Sequence, residues 1–343
     1  MTAHKVEYVE LYVSDLKSSV DYFVAAFGFS AVAVSRTGPR NSVLLHQAGV
    51  QLVLTAGPAT EDFLARHGDG VVDIAFACTD PAAVHDRAVA AGARSLHRPG
   101  GDSAPAVSGF GAVRHTLIAG RPGEQHLLPP GWEWSASLNG SGAKEVSRIK
   151  VLDHIAVCME LGTLQDIVRF YLDGFGFERY YSEYVEFGDQ AMDSIVVRSP
   201  SAGITFTIIE PGANKTPGQI DEFLVRNGGA GVQHLAFLVD EIIPAVREFQ
   251  DRGIEFLKTP AAYYEVLGER MQSMQEEIAE LRETNVLADR DEWGYLLQLF
   301  CRSPYERRTL FYELIQRHGA QGFGSSNIRA LYEAVERERA ATS

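Results

Sequence analysis

Three histidines follow residue 150, and two of them, His154 in LDHIAV and His234 in VQHLAF, are the single imidazoles of apolar runs. A buried imidazole without a partner costs roughly 1–3 kcal/mol, so each ring demands a hydrogen-bond partner or a metal. A carboxylate sits in a similar setting: Glu313, in TLFYELIQR, is flanked by Leu310, Phe311, Leu314 and Ile315. It is paired or coordinated, unless strand alternation turns it out to water or to an arginine such as Arg308. Two neutral imidazoles and one carboxylate are the facial set of non-heme Fe(II) sites, which leaves three octahedral positions for a bidentate 2-oxo acid and O2. Zinc accepts the same donors, although the helical HExxH spacing is absent. His318, in RHGAQGFG, is the rival third ligand and is expected in a loop. Taken singly, either strand histidine more often marks a satisfied core residue; two at matched strand positions point to one cavity.

The elements that must position these groups come from a duplicated chain. GVVDIAFACTD, from Gly70, reappears as GVQHLAFLVDE from Gly231, and the same offset carries Gly92 onto Gly253 and Pro99 onto Pro260. This register sets Asp73 opposite His234, and the opening strands are expected to set Glu10 opposite His154. Each half reads as a strand, an amphipathic helix and several short strands, then a second such set, giving four βαβββ units of mixed α+β type. The first helix carries Leu16, Val20, Phe23 and Phe27 before Gly28; its counterpart carries Ile167, Phe170, Tyr171 and Phe175 before Gly176. SVLLHQ with VQLVLT and DSIVVRS with ITFTIIE are paired strand candidates. The expected domains are 1–130 and 150–343, joined by a Pro, Gly and Ser-rich linker over 131–149. The second half adds a charged helix, roughly 264–285, and a closing helix with Ile328, Leu331, Tyr332 and Val335 on one stripe and Ser325 or Ser326 as its cap.

Composition narrows the classes of function. A length of 343 residues gives about two domains, and 45% apolar with 22% charged residues is ordinary for a globular protein. Acidic residues outnumber basic ones 45 to 31, for a net charge of −14, which argues against nucleic acid or anionic membrane as partner. The opening MTAHKVEYVE has no apolar stretch and no run of apolar residues is long enough to span a bilayer, so a cytoplasmic protein is expected. Cys78, Cys158 and Cys301 are far apart and odd in number; they suggest buried small hydrophobes rather than disulfides or a CxxC metal site.

Against these residues, the chain resembles the 4-hydroxyphenylpyruvate dioxygenase family. The segments that carry the resemblance are LDHIAV, PGQIDEFL with GAGVQHLAF, FLKTPAAYYEVL, LLQLF, TLFYELIQRHG and GFGSSNIRALYEAVE, densest from 151 to 336. The resemblance implies a vicinal-oxygen-chelate (glyoxalase/bleomycin-resistance-like) fold, Fe(II) as cofactor on His154, His234 and Glu313, and a metal-free first domain. It implies a substrate pocket at Ser194, Gln233, Gln298, Phe300, Phe311, Phe323 and Asn327, although without it the glutamines read as backbone partners and the phenylalanines as core. Ring-hydroxylating members read P-L-N-E where this chain has Thr207, Ile208, Ile209 and Glu210, and G-N-F where it has Ser326, Asn327 and Ile328. Both changes are those of the family's hydroxymandelate-synthase branch, and they add Thr207, Ile209 and Ile328 to the pocket.

The implied reaction takes 4-hydroxyphenylpyruvate and O2 to 4-hydroxymandelate and CO2, in a homo-oligomeric enzyme of antibiotic biosynthesis. A small Ile328, in place of Phe, would let the ring swing aside so that the benzylic carbon meets the reacting oxygen. The closing helix is either a gate or permanently docked. The alternatives are formation of homogentisate, extradiol cleavage of catechols, and a metal-free binding protein of the same fold.

Overall fold

The computed structural model describes residues 2–96, 104–122, 124, 128–130, 132–136, 147–271, 277–324 and 326–327. The first module runs β1 (Ala3–Tyr12), α1 (Leu16–Asp21, continued by a π-helical turn to Ala26), β2 (Ser30–Thr37), β3 (Arg40–Gln47) and β4 (Val50–Ala56). After α2 (Glu61–His67), the second runs β5 (Gly70–Cys78), α3 (Pro81–Ala90), β6 (Ser95–Leu96), β7 (Ala106–Ser108) and β8 (Arg114–Ala119), followed by β9 (Ser135–Ala136). The third is β10 (Ile149–Cys158), α4 (Leu164–Phe175), β11 (Glu178–Phe187), β12 (Gln190–Arg198) and β13 (Thr205–Pro211), then α5 (Gln219–Asn227). The fourth is β14 (Gly231–Val239), α6 (Ile242–Asp251), α7 (Ala261–Arg270), α8 (Ile278–Thr284), β15 (Leu287–Arg290), β16 (Tyr295–Phe300) and β17 (Phe311–His318). These are the four βαβββ modules of a mixed α+β, vicinal-oxygen-chelate fold.

Each pair of modules shares one sheet. Strand order is β6-β7-β8-β5-β1-β4-β3-β2-β9 in the first half and β11-β12-β13-β10-β14-β17-β16-β15 in the second. The opening strands of paired modules, β1 with β5 and β10 with β14, run antiparallel at the centre, and each is flanked by a parallel partner. This arrangement brings β10, β14 and β17 side by side, so residues far apart in the chain can face one another.

Local chemistry explains most boundaries. Gly28 and Gly176 stop the first helix of each half in a left-handed conformation, at φ 77° and 70°, which L side chains adopt at a cost. The stripe on α4 is rotated from the expected one: Leu164, Val168, Tyr171 and Phe175 are buried, while Ile167 and Phe170 lie at its margin. Among the described residues, the expected charged helix over 264–285 divides into α7 and α8, and Met271 leaves helical geometry at the end of α7. Within 131–149, Trp132 meets Tyr8, Trp134 packs against the same apolar cluster, and β9 adds to the edge of β2. Ser325 and the closing stripe Ile328, Leu331, Tyr332 and Val335 lie outside the described residues. Among the described residues, no helix is long and apolar enough to cross a membrane.

One apolar core joins the two halves. Phe27 meets Phe237, Phe249 and Tyr312, and Phe76 meets Phe175 and Phe206. His115 sits in this seam, stacked 4.4 Å from Phe76, donating from Nδ1 to the Ile74 carbonyl and accepting at Nε2 from the Tyr171 hydroxyl. Burial pulls its pKa from 6.5 down to about 4. The unfolded chain therefore takes up this proton first as pH falls. Stability is full above pH 6.5 and declines between 6.5 and about 4, by about 3 kcal/mol in total. His115→Gln should flatten that part of the pH profile of urea denaturation; an unchanged slope contradicts the assignment.

Candidate metal centre

His154 on β10, His234 on β14 and Glu313 on β17 converge on one point at the floor of a cavity of about 350 Å³. The two Nε2 atoms are 3.4 Å apart, and Glu313 Oε2 lies 3.4 Å from His154 Nε2 and 3.2 Å from His234 Nε2. All three residues are buried. A pair of ligands on opposite sides of an ion would stand about 4.2 Å apart, twice a bond of about 2.1 Å, so all three pairs here are neighbours on one face. The donor set therefore fits a metal bound from one side, with its other side open to the cavity.

Electrostatics support the same fit. Burial opposes protonation of His154, yet the Glu313 carboxylate and Asp153 overcome it and raise the ring's pKa to about 9. Burial also opposes the charge of Glu313, but the two rings hold its carboxyl down to about 2. At His234 burial prevails and the pKa is lowered. Glu313 is thus a buried anion that demands a cation beside it.

The rings are aimed by groups behind them. His154 Nδ1 donates to Asp153 Oδ1 at 2.8 Å, and Arg317 grips Asp153 through Nε and Nη2, each at 2.8 Å. Burial raises the Asp153 pKa, but Arg317 and His154 outweigh it and hold the carboxyl well below the usual range. His234 Nδ1 faces Gln233 Oε1 at 3.2 Å. With both Nδ1 atoms occupied as donors, both Nε2 lone pairs turn to the common point, as ligating histidines require. Sequence reasoning missed Asp153 and Arg317. Strict alternation would point Asp153 away from its neighbour, but β10 carries a register shift between Leu152 and His154 that re-aims it.

The other expected residues divide into two groups. Ser194, Thr207, Ile209, Gln233, Gln298, Phe300, Phe311 and Phe323 line the cavity. Phe311 stacks on His234 at 4.9 Å, Phe323 stands edge-on to His154 at 5.0 Å, and Phe300 meets His234 edge-on at 6.0 Å. Asn327 is fully buried but bonded to Gln298 and Tyr263, behind the wall. Ile328 lies outside the described residues. His318 ends β17, exposed and stacked on Tyr295, so it is neither in a loop nor near the cluster. Arg308 is exposed at the cavity rim and makes no pair with Glu313. Thr309, not anticipated from sequence, lines the cavity with a buried hydroxyl that has no partner, as does that of Thr207.

The first half corrects one expected equivalence. His154 pairs with Ala236 and Tyr8 with Ala75, so Tyr8, not Glu10, occupies the position of His154, and Glu10 matches Ala156. The register shifts within β1 and β10 hide this from an alignment by motif. Thr116 matches Glu313, and Tyr8, Asp73 and Thr116 are hydrogen-bonded together where the second half has its triad. Arg114 pairs with both Asp73, at 3.0 Å, and Glu10, at 2.9 Å. A fixed guanidinium supplies the positive charge there.

Comparison with known proteins agrees with this architecture. Residues 1–125 match the family described as "Hydroxyphenylpyruvate dioxygenase, HPPD, N-terminal", and residues 151–299 match the "Glyoxalase/Bleomycin resistance protein/Dioxygenase superfamily". The chain is 31% identical to the 4-hydroxyphenylpyruvate dioxygenase of Yarrowia lipolytica, over 97% of this chain and 92% of that one. It is 32% identical to that of Dictyostelium discoideum, over 97% of both. A solved structure of a triply substituted 4-hydroxymandelate synthase from Streptomyces coelicolor superposes with a TM-score of 0.90 at 49% identity, over 99% of this chain and 100% of the other. With its duplicated fold, its buried His-His-Glu cluster and these similarities over nearly its full length, the chain belongs to the hydroxyphenylpyruvate dioxygenase family.

Proposed function

We propose that the chain holds Fe(II) on His154, His234 and Glu313 and uses O2 to convert 4-hydroxyphenylpyruvate into 4-hydroxymandelate and CO2. The observation that carries this reading is the one-faced triangle of three donors opening into an apolar-walled cavity. Bound iron supplies the redox chemistry and the open coordination positions that a 2-oxo acid and O2 need. The chain's own residues then decide where the aromatic ring rests. Phe300, Phe311 and Phe323 offer it apolar faces, and the unpartnered Thr207 and Thr309 hydroxyls offer hydrogen bonds to substrate oxygens.

The choice of product is a choice of which carbon comes within roughly 3–3.5 Å of the reacting oxygen. Ile209 on the cavity wall gives the ring no hydrogen bond where ring-hydroxylating relatives carry an amide. Together with the 49% identity to the 4-hydroxymandelate synthase structure, against 31–32% to the two dioxygenases, this favours benzylic hydroxylation over homogentisate formation. Ile209→Asn should raise the homogentisate share of the product about tenfold, equivalent to roughly 1.4 kcal/mol between the two barriers. Chromatography of the products checks this, and an unchanged ratio contradicts the role given to Ile209.

A further inference from the structure

We propose that Tyr263, Asn327 and Gln298 form a positioning relay that holds Glu313 to its metal through one oxygen only. The inference rests on the metal reading above and adds a role for groups behind the cavity wall.

The two oxygens of Glu313 have different surroundings. Oε2 faces both histidine Nε2 atoms, while Oε1 accepts a hydrogen bond from Gln298 Nε2 at 3.1 Å. A carboxylate only accepts, so Gln298 must present its NH2 group and turn its carbonyl away. That carbonyl accepts from Asn327 Nδ2 at 2.9 Å, which in turn leaves Asn327 Oδ1 as an acceptor for the Tyr263 hydroxyl at 2.7 Å. The Tyr263 oxygen accepts from the Ala288 backbone N–H at 2.8 Å, with the Ala288 carbonyl as the competing acceptor for its proton. Every link from a fixed backbone N–H to the carboxylate therefore runs in one direction. Flipping either amide would set two oxygens against each other.

The relay is walled in. Gln298 and Asn327 are buried, and the backbone crosses the Gln298 amide at Gly324, where a Cβ would stand 1.8 Å from Gln298 Oε1. Gly324 also has φ +78°, and its carbonyl accepts from the Asn327 backbone N–H at 2.8 Å, which fixes the turn that delivers Asn327. Such close contact leaves little space for the Gln298 amide to turn. With Oε1 engaged, the carboxylate fills one coordination position instead of two, and the cavity side of the metal stays open for the two atoms of a 2-oxo acid and for O2. Gln298, which lines the cavity, and Asn327 behind it thereby also act on Glu313.

The test uses the full chain with Fe(II) alone, titrated anaerobically, and with Co(II), whose visible d–d bands report coordination number. Tyr263→Phe should weaken Fe(II) binding about tenfold, and Gln298→Met, which cannot donate, up to about 100-fold. Both should weaken the Co(II) bands as the second carboxylate oxygen joins the metal. Tyr263→Phe keeps the ring and its packing, so its unfolding midpoint should stay near that of the parent chain. Fe(II) affinity within twofold of the parent in Tyr263→Phe overturns the relay, and so does lost affinity with an unchanged Co(II) spectrum. A parent chain that takes up no Fe(II) removes the metal reading itself, a result distinct from either.

Discussion

Replacing Glu313 by alanine should reduce bound iron to background and lower O2-dependent turnover of 4-hydroxyphenylpyruvate by at least about 10³-fold, or roughly 4 kcal/mol. Glu313 is the one carboxylate of the three donors, and it stands within 3.4 Å of both histidine Nε2 atoms. Without it the two rings remain aimed by Asp153 and Gln233 but lose the charge that favours a cation. Glu313→Gln is the informative companion, because it keeps the size of the side chain and a carbonyl oxygen while removing the charge. Its iron content should fall between those of the parent and the alanine variant. Metal analysis and oxygen uptake check both; a Glu313→Ala protein that keeps stoichiometric iron contradicts the assignment.

The second large effect belongs to the half without the triad. Arg114→Ala should destabilise the chain by about 3–5 kcal/mol in urea denaturation, the usual result of stripping one partner from a buried ionic group. Glu10 and Asp73 are fully buried, and the Arg114 guanidinium bridges both carboxylates. Thr55, Tyr8 and Thr116 still donate to them, yet no neutral donor offsets two buried charges. Arg114→Met with Glu10→Gln and Asp73→Asn should recover part of the loss, because it removes the anions together with the cation. Bound iron per folded chain should be unchanged in all of these variants, since the site lies in the other sheet. A loss below about 1 kcal/mol in Arg114→Ala would mean that water reaches the pair.

Much of this was legible in the sequence, for physical reasons that differ by element. The repeat fixed the fold because buried strands and helix-ending glycines leave strong marks: Gly28 and Gly176 both adopt the left-handed φ their positions suggested. His154, His234 and Glu313 stood out because a polar group in an apolar strand needs a partner. Less legible was anything that turns on register. Glu10 was aligned with His154 by motif, while shifts in β1 and β10 give that place to Tyr8. The same shift in β10 hid Asp153 behind a rule of alternation. Gln298 and Asn327 stand out as polar residues, but their bond to each other does not, since sequence spacing says nothing about which of two buried amides faces the other. Thr309 left no signal at all; only its unpartnered hydroxyl in the cavity singles it out.

The most direct measurement incubates the Fe(II)-loaded chain with 4-hydroxyphenylpyruvate in air and identifies the aromatic product by chromatography and mass spectrometry. Hydroxymandelate and homogentisate have the same mass, so separation by retention is decisive. 4-Hydroxymandelate should be the main product, with one CO2 released for each O2 consumed and no consumption of catechol. Homogentisate as the main product would contradict the role given to the aliphatic wall, and an absence of oxygen uptake with iron bound would contradict the proposed activity.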